Sequence, residues 1–135
     1  NEDRVRTAID QLRSAGIPIS LFLDPDAKQI ERAAQWGVDA VELHTGSYAL
    51  AKGAADREEL ERLVAASRLI VDRGLKLHAG HGLNYHNVTP VAAIDSMLEL
   101  NIGHSIISRA VFVGLSAAVT EMKNLLRPFG TVKRI

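Results

Sequence analysis

Three times along the chain a helical stretch runs into a glycine and then at once into a short apolar segment: AGIPIS, WGVDAV and RGLKLH. This recurring junction constrains the fold most, because a helix closed by glycine and followed directly by a strand is the return half of a βα unit. Val5, Ala8, Ile9, Leu12 and Ala15 stand at helical spacing within Glu2–Ala15, with Gly16 behind them. Ile17–Leu23 is a nearly continuous apolar run closed by Asp24-Pro25-Asp26, the pattern of a strand covered on both faces. Asp26 can cap the next helix with Gln29 at its third position; Ile30, Ala33 and Ala34 follow, and Gly37 ends it. Val38–Leu43 is the second expected strand. A longer helix is expected over Asp56–Arg73, then a third strand over Leu75–Ala79 that enters a loop at 80–87. Thr89-Pro90 signals a helix to about Leu100, Ile102–Ser108 a fourth strand, and Ser116 the cap of a last helix ending near Leu126.

Alternation of this kind requires a parallel sheet with right-handed crossovers, either an open doubly wound sheet or part of a (β/α)₈ barrel. A complete barrel takes roughly 250 residues, and 135 residues suffice for one domain. Length alone therefore favours an open sheet of flavodoxin type. Two features favour the barrel segment: only four strands can be counted, and the chain begins on a crossover helix with no strand before it.

Sixteen Lys and Arg balance sixteen Asp and Glu, so the chain lacks the excess cation that nucleic-acid surfaces and basic membrane anchors rely on. Any anion it binds must be met locally. Without cysteine there are no disulfides, thiolate nucleophiles or zinc thiolates, which suits a cytoplasmic protein. The sequence has no apolar run of the roughly 18 residues a membrane span needs, and the charged Asn1–Arg6 start is unlike a signal peptide.

All five histidines, His44, His78, His81, His86 and His104, fall at expected strand ends or in the loops after them, and none on an expected helix. Ligands of α/β proteins bind at that end. His78-x-x-His81 with His86 invites a metal reading, but on a strand positions 78 and 81 face opposite ways, so no metal site is expected. Gly80-His81-Gly82 is more telling: flanking glycines let the backbone approach a ligand while an imidazole, which titrates near neutrality, is aimed at it. Gly103-His104 offers unobstructed backbone N–H groups for a phosphate. Glu42 is an acid inside the apolar VDAVEL strand and needs a partner or a task. Asp24, Thr45 and Tyr48 are loop residues that could line a mouth, although each alone is better explained by a structural role.

Taken together, SLFLDPD, VELHTGSYA, AGHGLNYHNV and ELNIGHSIISRAVFVGL resemble the carboxyl-terminal half of the pyridoxine 5′-phosphate synthase family over nearly the whole chain. The resemblance implies an α/β fold in which residues 1–135 form the second half of one (β/α)₈ barrel domain, assembled in the family as a homo-octamer. It also implies an enzyme that joins two small phosphorylated substrates, 3-amino-2-oxopropyl phosphate and 1-deoxy-D-xylulose 5-phosphate, without metal or organic cofactor. By motif, His81 would be the proton donor and Glu42 would stabilise a transition state; Gly82, Gly103 and His104 would hold the aminoketone phosphate. The family's remaining acid–base residues belong to the other half, so this chain alone is expected to be inactive. Two unpaired sheet edges would also favour self-association or partial disorder. The alternatives are another phosphate-binding barrel enzyme and a noncatalytic flavodoxin-like binding module.

Overall fold

The computed structural model describes residues 2–129; Asn1 of the charged start and residues 130–135 of the expected domain lie outside the described residues. The elements in order are α1 (Glu2–Ser14), β1 (Ser20–Leu23), α2 (Ala27–Gln35), β2 (Ala40–His44), α3 (Gly46–Leu50) and α4 (Ala54–Asp72). Then come β3 (Lys76–Gly80), α5 (Val88–Ala92), β4 (Met97–Asn101), α6 (His104–Val113) and α7 (Leu115–Leu126), with a 3₁₀ turn at Arg127–Phe129.

The repeated junction is one hydrogen-bonded motif made three times. Gly16, Gly37 and Gly74 have φ of +71°, +65° and +74°. In each, the glycine N–H donates to the carbonyl three residues back, and the next residue donates five back: Ile17 to Leu12, Val38 to Ala33, Leu75 to Ile70. This Schellman closure satisfies the last helical carbonyls and brings two apolar residues together where the strand starts. At the amino end of α2, Asp26 accepts from the Gln29 N–H at 2.9 Å, the cap expected from sequence.

The four strands are all parallel and lie in the order β1-β2-β3-β4. Helices therefore return each strand beside its predecessor. Val41, Leu43, Leu77, Ala79 and Leu100 on one face are buried against Ile30, Leu63, Ile70, Val88, Val91 and Met122 from the helical layer. The register sets Phe22 beside Glu42 and Glu42 beside His78 on the opposite face. The sheet does not close, and it ends at β1 and β4. An open four-stranded parallel sheet is consistent with half of a (β/α)₈ barrel.

Four expectations are corrected. The strand over Ile17–Leu23 is not covered on both sides: Leu21 and Leu23 pack toward the core while Phe22 is exposed. The fourth strand is Met97–Asn101, and the Ile102–Ser108 run instead opens α6, with Gly103 as N-cap. Its isoleucines suit a strand, but an apolar run cannot separate strand from buried helix, and tertiary pairing decides. The Thr89-Pro90 helix is only α5, capped by Asn87, and α7 starts at Leu115 after Gly114 rather than at a Ser116 cap. The short α3 was not anticipated.

Candidate functional site

The carboxyl ends of the strands open onto a cleft of about 640 Å³. Glu42, His81, Gly82, Gly103 and His104 all line it, together with Phe22, Asn84, Asn101 and Ser105.

Glu42 owes its position to strand alternation. Val41 and Leu43 turn into the core, so the residue between them turns away from it. The Asn101 amide donates to Glu42 Oε2 at 2.8 Å. Burial pushes the Glu42 carboxyl above the ordinary glutamate range; the Asn101 hydrogen bond and the charge of His78 pull it back, and nearby Glu99 opposes them. Gly80 lies beneath this carboxylate, and a Cβ there would collide with Glu42 Oε1.

His81 is the first residue beyond β3, and both it and Gly82 have φ of +78°. A left-handed histidine is strained and must be held by its surroundings. Wholly buried Thr45 does the holding: its hydroxyl lies 2.7 Å from the Gly80 carbonyl and 2.6 Å from the His81 carbonyl, while its N–H donates to Gly80 at 2.9 Å. Gly82 can be nothing larger, since a Cβ would stand 2.6 Å from that of Ala49. The His81 ring meets the His44 ring at 4.8 Å between centroids, and Phe22 sets its ring edge-on to His44 at 5.1 Å. Asp24 Oδ1 is 3.1 Å from His44 Nδ1, so the carboxylate holds this edge of the ring. The loop after Gly82 is pinned by Asn87, which donates to the Gly82 carbonyl at 3.2 Å and accepts from the Asn84 N–H at 2.7 Å.

Across the cleft stands the amino end of α6. Ile107 N–H is the donor to the Gly103 carbonyl, at 3.0 Å, so the amides of His104, Ser105 and Ile106 precede the first helical hydrogen bond. Unpaired amides and the positive end of the helix dipole together attract anions. Ser105 ties this end to the other loop by donating to the Leu83 carbonyl at 2.9 Å.

Not every candidate reaches the cleft. His104 begins a helix, contrary to the expectation that no histidine sits on one. His78 faces Glu99, with Nδ1 3.9 Å from Oε1, and neither it nor His86 lines the cleft. Thr45 and Tyr48 do not line a mouth: both are buried, and the Tyr48 hydroxyl donates to the Asn87 carbonyl at 2.9 Å. Among the described residues no group of three or more His, Asp or Glu is arranged to hold a metal ion, and no helix is long and apolar enough to cross a membrane. Sequence reasoning missed Asn101 and Phe22. Once β4 is set at Met97–Asn101, the register that pairs Gly80 with Asn101 would have revealed the former.

Residues 1–128 match the model of the family described as pyridoxal phosphate biosynthesis protein PdxJ. A curated relative from Rhodopirellula baltica, named pyridoxine 5′-phosphate synthase, is 63% identical over 123 residues, covering 91% of this chain and 50% of the relative. Relatives of the same name from Synechococcus sp. and Cyanothece sp. are 57% and 52% identical, covering 91% and 93% of this chain and 52% of each relative. The chain thus spans about half the length of the curated relatives it matches. On this agreement of sequence with a parallel α/β sheet, the chain belongs to the pyridoxal phosphate biosynthesis protein PdxJ family.

Proposed function

We propose that residues 1–135 are the carboxyl-terminal half of a single barrel domain, and that the intact protein is a pyridoxine 5′-phosphate synthase. It condenses 3-amino-2-oxopropyl phosphate with 1-deoxy-D-xylulose 5-phosphate, releasing inorganic phosphate and water as the pyridine ring closes. The observation that carries this reading is the convergence of Glu42, His81, Gly82, Gly103 and His104 on one cleft at the carboxyl end of parallel strands. Three of these would bind: Gly82 and the Gly103-His104 pair hold the aminoketone phosphate, using the α6 amides as donors. This answers the anion locally in a chain of zero net charge. His81 gives a proton to the departing oxygen, and Glu42, kept as a carboxylate, stabilises positive charge that develops during condensation.

The intact protein works without metal or organic cofactor, as a cytoplasmic homo-octamer. Ring closure needs more proton transfers than His81 and Glu42 can serve, so the 135-residue chain alone is inactive. The test mixes both substrates with the intact protein and separately with this chain, following pyridoxine 5′-phosphate and released phosphate. The expected result is both products, in equal amounts, from the intact protein only. Phosphate release without ring formation would point to another phosphate-binding barrel enzyme, and product from the isolated chain would contradict the division of the site.

A further inference from the structure

Glu42 enters the cleft partly withdrawn from water, yet among the described residues no Lys or Arg lines the cleft to neutralise a carboxylate there. Among the described residues its hydrogen-bond donor is Asn101, at 2.8 Å to Oε2. Asn101 comes from the last residue of β4, across β3, and the two side chains meet above Gly80. There the absence of a side chain opens the space that both occupy: a Cβ on Gly80 would strike Glu42 Oε1 and would stand 3.1 Å from Asn101 Cβ.

We infer that Asn101 is a positioning residue for Glu42, its amide fixing one carboxylate oxygen over Gly80 and keeping the group anionic for the proposed reaction. The chemical reason is selective. An amide N–H donates to a carboxylate more strongly than to a neutral carboxyl, so the bond favours the charged form against burial. The other charged or titratable groups near Glu42 are few. His78 on β3 favours the anion, Glu99 on β4 disfavours it, and His44 follows two residues along β2 on the same face. His81 and His104 border the cleft itself, while Phe22, its register partner on β1, is neutral. Among the described residues, only Asn101 supplies a direct hydrogen bond.

The reaction consequence rests on the synthase reading, so the test uses two measurements on the intact protein. Carbon-13 NMR of labelled glutamate, with Glu42 assigned through Glu42→Gln, follows its titration in wild type, Asn101→Ala and Asn101→Asp. The pH profile of kcat/KM is recorded for the same proteins. Loss of the amide should raise the Glu42 midpoint by about one pH unit, and Asn101→Asp should raise it further by adding like charge. Activity requiring the anion is lost as pH falls, so the acid limb should move upward by the same amount. Asn101 is exposed, so neither variant should disturb folding. An unmoved Glu42 midpoint in both variants overturns the inference. A moved midpoint in a protein that makes no pyridoxine 5′-phosphate upholds it and defeats the synthase reading instead.

Discussion

At the scale of single residues, the site depends on positions where the backbone does something an ordinary residue resists. His81 and Gly82 are consecutive left-handed residues, and the second is also packed against Ala49. Gly82→Ala should therefore cost on the order of 2–4 kcal/mol in unfolding free energy, from left-handed strain plus overpacking. Denaturant titration measures it, and a loss under about 0.5 kcal/mol would show that the loop relaxes freely. The Gly-His-Gly phrase is legible without a structure because glycine on both sides of a histidine has few other uses. Asn101 is not legible, since its meaning depends on a strand that ends at it, whereas the sequence pattern points to a strand over Ile102–Ser108. Thr45 is a different case: an ordinary loop threonine in sequence, it becomes the clamp on His81 only when β2 and β3 are paired in register.

At the scale of elements, the helix-to-strand junctions carried most of the information. Three of them announce themselves with glycine. The fourth, leading into β4, does not: Ser96 takes φ of +64° there, a conformation that a serine does not advertise. The helix expected to about Leu100 therefore covers most of Met97–Asn101, and the isoleucines after it suit a strand. Capping was readable at α2, where Asp26 and Gln29 make the local hydrogen bond that their spacing suggests. Asp26→Ala should lower stability by about 1 kcal/mol. Thermal unfolding followed by circular dichroism would show it as a lower Tm, whereas an unchanged Tm would mean the cap is redundant with packing of Ile30 and Ala33.

On the scale of the whole molecule, the decision between a flat doubly wound sheet and a barrel segment could not come from periodicity. Both have the same alternation. It comes from strand order: sequential neighbours throughout, with the core on one face and Phe22, Glu42 and His78 on the other. Among the described residues, β1 and β4 each have one unpaired edge. α6 adds an apolar surface, with Ile107, Val111 and Phe112 all exposed. The isolated chain should therefore self-associate, giving a sedimentation-derived mass that rises with concentration. A constant monomer mass with one sharp unfolding transition would contradict this.

In the proposed function, a proton from His81 serves the reaction at the rim of these parallel strands. Steady-state formation of pyridoxine 5′-phosphate by the intact protein carrying His81→Asn tests it most directly. The account predicts that kcat falls by roughly 10²-fold or more, the ordinary contribution of a positioned acid, with a much smaller change in KM. Turnover equal to that of the unsubstituted protein would contradict it.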